Sequence, residues 1–491
     1  MSRRWIFADQ LGPHFLDDRE QQLLLIESKA VFRRRAFHRQ KAHLILSALR
    51  HRAAELGDQA LHVRTDTYRE GLRQVRGPIE VCHPTSRRAR DLVRSLDDRV
   101  TVLPARGFVT SQADFTAWAD DRRGAMRLDD FYRHARRRHR VLLDADEPVG
   151  GRWSLDADNR QPPPRESERL DVPPPPLPAE DDIDAEVRYD LDRWAAEGIR
   201  FVGRDGPRLF PATRAEATDR LRHFLRHRLP TFGPYENAML STDPFMAHSL
   251  LSSSFNLGLL DPMEAIRGAE RAYRERQAPL SGVESFVRQL LGWRDFVWHL
   301  YWYFEAGSRG SDRLGARKSV PAWFADLDAD AVQARCLADV LAGVRDRGWV
   351  HHVPRLMVLG NYAVQRGWRP SELVDWFHRS FVDGHEWALT ANVAGMSQYA
   401  DPGQLSTKPY TAGGSYVNRM SDYCGGCRYD PKRRLGEDAC PYTAGHWVFL
   451  DRNRERLPGN ARMARSLHQL DRLDNVPAVR EQERRRGSTA P

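Results

Sequence analysis

The chain has 491 residues, 41% of them hydrophobic and 10% aromatic, and carries a net charge of +9. That length exceeds one ordinary core and predicts two or three domains, and the composition excludes a disordered or fibrous chain. The basic balance suits an acidic partner such as nucleic acid, but it is almost wholly arginine, with lysine only at Lys29, Lys41, Lys318, Lys408 and Lys432. The opening MSRRWIFADQ lacks the apolar core of a secretory signal. The aliphatic runs, such as LLLI at 23–26, fall far short of a membrane span. The expectation is a soluble, cytoplasmic protein without a membrane partner.

Apolar segments at 5–8, 23–26, 61–63, 79–82 and 100–103 read as strands. Between the second and third, HRQKAHLILSALRHRAAELG carries helical spacing and stops at Gly57. This alternation predicts an α/β, doubly wound (Rossmann-like) parallel sheet over 1–143. Ligands of such sheets sit beyond the carboxyl ends of strands, here first at Asp9-Gln10-Leu11-Gly12. No G-x-G-x-x-G follows any strand, so a dinucleotide fingerprint is absent. Cys82 ends a strand-like run and reads as a small core residue.

The basic run RHARRRHR at 133–140 leads into a Pro-rich stretch over 144–210, with Pro162–164 and Pro173–176 refusing helix and central strand alike. It reads as an interdomain linker. From 211 to 491 the pattern is helical, opening with a capping box at Thr213 and Glu216 and continuing through 246–260, 262–277, 283–304, 331–345, 354–366, 370–382 and 442–456. The tail REQERRRGSTAP reads as a frayed, solvated end.

Four stretches of the helical part combine residues able to do chemistry. His248 with Ser249, Leu250 and Ser252 in AHSLLSSS offers small hydroxyls for phosphate, although a polar helix start explains them equally. Gly292-Trp293-Arg294 sets a charge beside a flat ring, as a heterocycle site needs, or is an ordinary aromatic core helix. His351-His352 cannot chelate one metal as adjacent helical residues, but one of them can donate a proton near neutral pH. FVDGHEW at 381–387, running through Asn392 and Met396 to Asp401, mixes acid, amide and aromatics as a pocket lining does.

The stretch 420–441 holds Cys424 and Cys427 as a Cys-x-x-Cys pair, then Cys440 followed by Pro441. Four ligands are needed for a tetrahedral metal or a cubane cluster, and Cys336 on a helical pattern is the choice for the fourth. Sulfur alone leaves zinc and iron–sulfur open.

These stretches in this order, with Lys408-Pro409-Tyr410, Tyr416, Cys424 and Cys440-Pro441, resemble the iron–sulfur bacterial cryptochromes and photolyases, the prokaryotic (6-4) photolyases. Asp9-Gln10-Leu11, Ser47 to His51 and GGRWSLDADNR at 150–160 extend the resemblance over nearly the whole chain. It implies the cryptochrome/photolyase fold: an α/β antenna domain and a large all-α domain holding FAD. It also implies a [4Fe–4S] cluster on Cys336, Cys424, Cys427 and Cys440, resolving the metal.

The implied activity is light-driven repair of pyrimidine (6-4) photoproducts in UV-damaged DNA by a monomer, with the lesion flipped out of the duplex. His352, beside His351, is then the proton donor, and Tyr410, Tyr416 and Met396 line the lesion pocket. His248, Ser249, Leu250 and Ser252 fall on the phosphate side of FAD, with Arg294 and Asn392 near its ring system. Trp376 matches one member of the electron-transfer path. Phe377 stands where relatives have tyrosine, and the tryptophan expected before Cys336 is displaced to Trp323. Asp9, Gln10 and Leu11 match contacts of a ribityl lumazine antenna, while Val31 replaces an acidic contact. Two readings compete with repair: a blue-light photoreceptor of the same fold, and a metal-stabilised nucleic-acid-binding protein without flavin.

Overall fold

The computed structural model describes residues 2–18, 20–96, 99–122, 126–164, 169–304, 312–400, 405–457 and 460–491. Asp401 of the expected pocket lining lies outside them. All five expected strands form: β1 (Arg3–Trp5), β2 (Leu23–Ser28), β3 (Ala60–Thr65), β4 (Ile79–Cys82) and β5 (Val100–Leu103). They make one parallel sheet in the order β3-β2-β1-β4-β5. Every residue of β2 is buried, as a strand covered on both faces requires. The order reverses between β1 and β4, so the crevice beyond their carboxyl ends is the place where this sheet takes ligands. Asp9 follows β1 there, and Thr85 follows β4.

The helix Arg39–Leu56 covers the sheet and ends at Gly57 as the spacing predicts. The stretch expected as a linker contains a fifteen-residue helix, Asp182–Ala196, closed by a capping box of Asp181 and Asp184. Arg50 of the sheet-covering helix donates to Asp190 at 2.6 Å and to Glu27 at 2.9 Å, so this helix docks onto the first domain. Only its proline clusters remain extended.

The helical half begins at Arg214–His223 with the expected Thr213/Glu216 box. Helices Pro262–Arg274, Leu280–Val287, Asp295–Tyr303, Arg335–Arg347, Pro370–Ser380 and Pro441–Arg452 follow the predicted order. π-helical turns at Arg288–Arg294, Pro354–Gly360 and Thr390–Ser397 interrupt three runs; such turns are frequent at functional sites.

Two expectations are corrected. Residues 246–260 are not one helix: Met246 (φ 45°) and Leu250 (φ 56°) take left-handed conformations that break it, leaving only Ser252–Asn256 helical. The tail is not frayed: Val476–Arg486 forms a helix whose buried Glu483 pairs with Arg366 and, at 2.6 Å, with Arg486. Beyond it, the Ser488 carbonyl accepts from Trp323 Nε1 at 2.9 Å and the Pro491 carbonyl accepts from Gln333 and Ala334 N–H at 2.6 and 3.0 Å. A charge-rich run reads as solvated, but Val479 and Glu483 turn one face of it inward.

One hydrophobic core runs through both halves, joining Ile6, Leu23 and Phe131 to Leu221 and Phe286. Polar contacts close the seam. His38 Nδ1 accepts from Gln40 N–H at 3.1 Å, capping the helix, while Nε2 donates to the Arg345 carbonyl at 3.0 Å. Lys41 Nζ reaches the carbonyls of His378 and Gly384 at 2.7 and 2.6 Å. Asp295 receives Val109 and Thr110 N–H, both at 2.8 Å. Gly12 and Gly258 meet so closely that a Cβ on Gly12 would lie 2.1 Å from the Gly258 carbonyl.

Candidate flavin and lesion site, cysteine quartet and sheet crevice

The broken helix at 246–250 is a turn that brings His248 over His351, their rings 4.3 Å apart and nearly parallel. Left-handed non-glycine residues cluster where structure stores strain for function. His248 Nε2 and His351 Nδ1 are enclosed and have no partner among the described residues. His352 is solvent-accessible, although both its neighbours are buried. The protein packed around it, and then the charge of Arg355, push its imidazole down to about 4 even though part of the ring meets solvent. Burial, then Arg228 and His352, takes His248 to about 3. All three imidazoles are neutral at pH 7 with His351, which is shifted the same way.

Arg355 is clamped by Asp383 through two hydrogen bonds of 2.8 and 3.0 Å. Burial works to raise the Asp383 carboxyl, yet Arg355 and the Ser252 hydroxyl, which donates at 2.6 Å, hold it below its ordinary value. Asn256 Nδ2 donates to the Asp383 carbonyl at 3.0 Å. Reading the sequence missed Arg355 and Asp383 as a pair. The Phe381-Val382-Asp383-Gly384 stretch carried the signal, but its partner lies 28 residues back.

Arg294 lays its guanidinium over Phe108 at 4.3 Å and Trp387 at 5.4 Å. Burial takes it down to about 10, so it remains charged at neutral pH. Asn392 Oδ1 accepts from Trp293 Nε1 at 2.7 Å. Ser249 is half-buried, and its hydroxyl accepts from Leu251 N–H at 3.4 Å. Met396 is buried in the π-helical turn, in the same core cluster that Tyr410 and Tyr416 pack against. The Tyr410 and Tyr416 hydroxyls lie close enough to interact electrically, and Arg160 acts on both. Trp376 is buried and donates Nε1 to the Phe324 carbonyl at 3.0 Å. Its ring lies 4.4 Å from Phe324, which contacts half-buried Trp323 at 5.6 Å and Trp368 at 4.8 Å.

The cysteine quartet comes from the start of Arg335–Arg347, the Tyr423–Gly426 turn and its flank, and the cap of Pro441–Arg452. Burial raises Cys336 well above the ordinary thiol range, followed by the other three sulfurs acting on it. Cys424 is pushed up to about 12 by burial and then by Cys440 and Cys427. The four are thus mutual neighbours, yet no three sulfurs fall within 4.8 Å of one another; the compact donor group among the described residues is His51, Asp181 and Asp184. A tetrahedral zinc with bonds of about 2.3 Å would draw its sulfurs to about 3.8 Å. The His51 group is an ion-pair cluster, since Arg208 already holds Asp184 at 3.0 Å. Gly414, between the two tyrosines, lies so near Cys440 that a Cβ would be 2.7 Å from Sγ.

At the sheet crevice Asp9 accepts from the Thr85 hydroxyl, and burial raises its carboxyl despite that bond. Its Oδ1 is enclosed and has no partner among the described residues. Gln10 instead spends its amide on the Cys82 carbonyl at 3.2 Å, and Leu11 is core, its N–H on the Leu257 carbonyl at 3.1 Å. Val31 packs beside Phe32 and Trp194.

The family model for deoxyribodipyrimidine photo-lyase-related proteins matches residues 4–199. A protein named (6-4) photolyase from Agrobacterium fabrum is 36% identical over 94% of this chain and 93% of its own length. The structure of a bacterial class III photolyase from Agrobacterium tumefaciens superposes with a TM-score of 0.60 at 13% identity, covering 98% of this chain and 95% of that one. A cryptochrome from Synechocystis sp. PCC6803 gives 0.54 at 14% identity over 82% and 83%. With the relation to (6-4) photolyase running almost end to end and the photolyase fold present throughout, the chain belongs to the photolyase/cryptochrome family, in its bacterial (6-4) photolyase branch.

Proposed function

We propose that this chain is a light-driven DNA repair enzyme, a (6-4) photolyase with FAD in the helical half. The observation that carries the reading is the stacked pair His248 and His351, next to solvent-accessible His352 and the Arg355–Asp383 clamp. The unpartnered atoms of His248 and His351 and the strained turn at 246–250 fit a bound nucleotide cofactor. His248, Ser249, Leu250 and Ser252 would hold its phosphate side, and Arg294 and Asn392 its ring system. Bound FAD, reduced and excited by blue light, supplies an electron to the lesion and takes it back after repair.

The protein's own residues control protons, water and shape. His352 stands ready to pass a proton to a lesion that has gained negative charge. Neutral at rest, it must first take up a proton from solvent: the negative charge of the bound substrate raises its basicity, and the imidazolium so formed hands that proton to the lesion. Asp383 offsets part of the Arg355 charge, which still favours the neutral form of His352 and would do so more strongly unpaired. Tyr410, Tyr416 and Met396 form a largely apolar wall that takes a flipped base and excludes water. Trp376, Phe324 and Trp323 give an aromatic contact chain from the interior toward the surface for electron supply.

The quartet Cys336, Cys424, Cys427 and Cys440 would hold a [4Fe–4S] cluster. The support is four thiols gathered close enough that Cys424, Cys427 and Cys440 all act on Cys336, the ligand number a cubane cluster needs. Because Gly414 abuts Cys440, the cluster would brace the loop bearing Tyr410 and Tyr416. A ribityl lumazine antenna would meet Asp9 at the sheet crevice, with Gln10 and Leu11 shaping its floor. DNA is the partner of a single chain. No helix among the described residues is long and apolar enough to cross a membrane.

The test is repair of an oligonucleotide carrying one (6-4) lesion by flavin-loaded protein under blue light. His352→Ala should retain the flavin spectrum and lose repair by roughly 10²–10⁴-fold, the range of a general acid. Undiminished repair in that variant removes His352 as donor. Flavin without any lesion turnover in the wild type replaces the enzyme with a photoreceptor.

A further inference from the structure

The helix Leu128–His139 carries the RHARRRHR run, and its outer face borders a cleft of about 630 Å³ opposite Trp118. Two of the arginines around this cleft are neutralised. Arg122 binds Asp130 at 2.6 Å while lying over Trp118, and Arg138 binds Asp114 at 2.9 Å. Arg133 and Arg137 are exposed and have no carboxylate partner among the described residues. They stand four residues apart, on one face of the helix. Arg137 is held flat on Trp153 at 4.6 Å, a geometry that fixes the guanidinium and leaves its donors free. Between them His134 presents an enclosed Nε2 without a partner, in an imidazole lowered first by burial and then by Arg138. Two oriented free cations and a neutral imidazole in a cleft suit the oxygens of a phosphodiester chain, because guanidinium forks match phosphate geometry.

The cleft is not isolated from the lesion wall. Trp153, which seats Arg137, opens the loop that runs to Arg160. Within that loop Asp156 is bound by Arg288 at 2.9 Å and by Arg160. The charge of Arg160 is felt at the hydroxyls of Tyr410 and Tyr416. The segment 152–160, in which Arg152 pairs with Asp158 and Arg160 with Asp156, therefore connects the cleft at Arg137 with the surroundings of the tyrosine pair.

We propose that the Trp118–Arg133–Arg137 cleft is a second DNA-contact site, which grips backbone phosphates of the duplex on one side of the lesion and reads no base. It rests on the repair reading for its partner. The site adds affinity and orientation to long substrates, and the chemistry at His352 does not depend on it.

The test uses flavin-loaded full-length protein and the R133Q/R137Q double variant, both substitutions lying on the exposed face. Binding is measured with duplexes bearing one (6-4) lesion near the 5′ end, near the 3′ end or centrally, and with undamaged duplex. The variant should bind about tenfold more weakly only where one particular arm is present, and its slope of log Kd against log salt should fall by about 2, the loss of two phosphate contacts. Repair at saturating DNA in a single turnover should match the wild type. Equal weakening of both arms, or an unchanged salt slope, overturns the site. A wild type that shows the arm dependence on lesion-bearing duplex yet repairs nothing would overturn the repair reading and leave the cleft standing.

Discussion

The cysteine quartet and the histidine cluster are both polar sites set in apolar surroundings, and they are organised in opposite ways. In the histidine cluster every charge has its answer: Arg355 is clamped by Asp383, Asp383 is also met by Ser252, and the imidazoles stay neutral. At Cys336 and Cys424, burial and then the neighbouring sulfurs oppose the thiolate form that a metal needs. The first region is preformed and can wait for its ligand. The second is placed by packing, with Cys336 and Cys440 in the buried core and Cys424 and Cys427 against it, but its thiols would lose their protons only as a metal binds. Gly414 against Cys440 transmits that placement to the tyrosine wall.

The sharpest way to break this contrast is to empty each site. Cys336→Ser should remove metal and iron–sulfur absorption and lower Tm by about 10 °C or more, taking a loss of several kcal/mol at about 2–4 °C per kcal/mol. Stripping flavin from the wild type should cost less, about 3 kcal/mol when the ligand stood at a hundred times its Kd. A larger drop on flavin removal than in Cys336→Ser would invert the comparison.

A smaller effect tests whether the histidine cluster is truly balanced. Asp383→Asn leaves Arg355 with an uncompensated charge and should cost about 3–5 kcal/mol in chemical denaturation. Adding Arg355→Met should restore part of that loss, because the two substitutions share one interaction. Strictly additive costs would mean that the clamp does no balancing.

The smallest effect is that of acid. Burial pushes His38 down to about 4 from its ordinary 6.5. As pH falls below 6.5 the unfolded chain takes up this proton before the folded one does. The stability is therefore fully present above 6.5 and lost progressively toward 4, by about 3 kcal/mol for a shift of this size. Protonation also ends the ability of Nδ1 to accept from Gln40. His38→Asn keeps a capping oxygen and should flatten the Tm profile between pH 6.5 and 4.5; an unchanged profile would place the acid sensitivity elsewhere, in the histidine cluster.

What the sequence disclosed follows from how local each feature is. Each strand carries a short apolar run, plainest in fully buried β2, so all five could be read even though β3 and β5 at the edges are partly exposed, and the Thr213/Glu216 box lies within four residues. Cys-x-x-Cys declares itself by spacing. The turn at 246–250 could not be read, because left-handed Met246 and Leu250 contradict their own propensities and are held by tertiary structure. The Asp383–Arg355 clamp and the docked tail are pairings across 28 and 117 residues, for Arg355 and for Glu483 with Arg366. Asp182–Ala196 was hidden by the prolines around it, although its Asp181/Asp184 box was present in the sequence.

The seam at His38 and Lys41 bears on how such a protein can change over generations. The first turn of the sheet-covering helix is completed by the Arg345 carbonyl, and the Lys41 ammonium by carbonyls of the loop that carries Asp383. A sheet domain recombined from an unrelated parent would bring neither the imidazole nor the ammonium, and would leave those carbonyls buried and unmet. The two halves are therefore inherited as one unit, and new variety is admitted at the faces each half turns outward, not at the join.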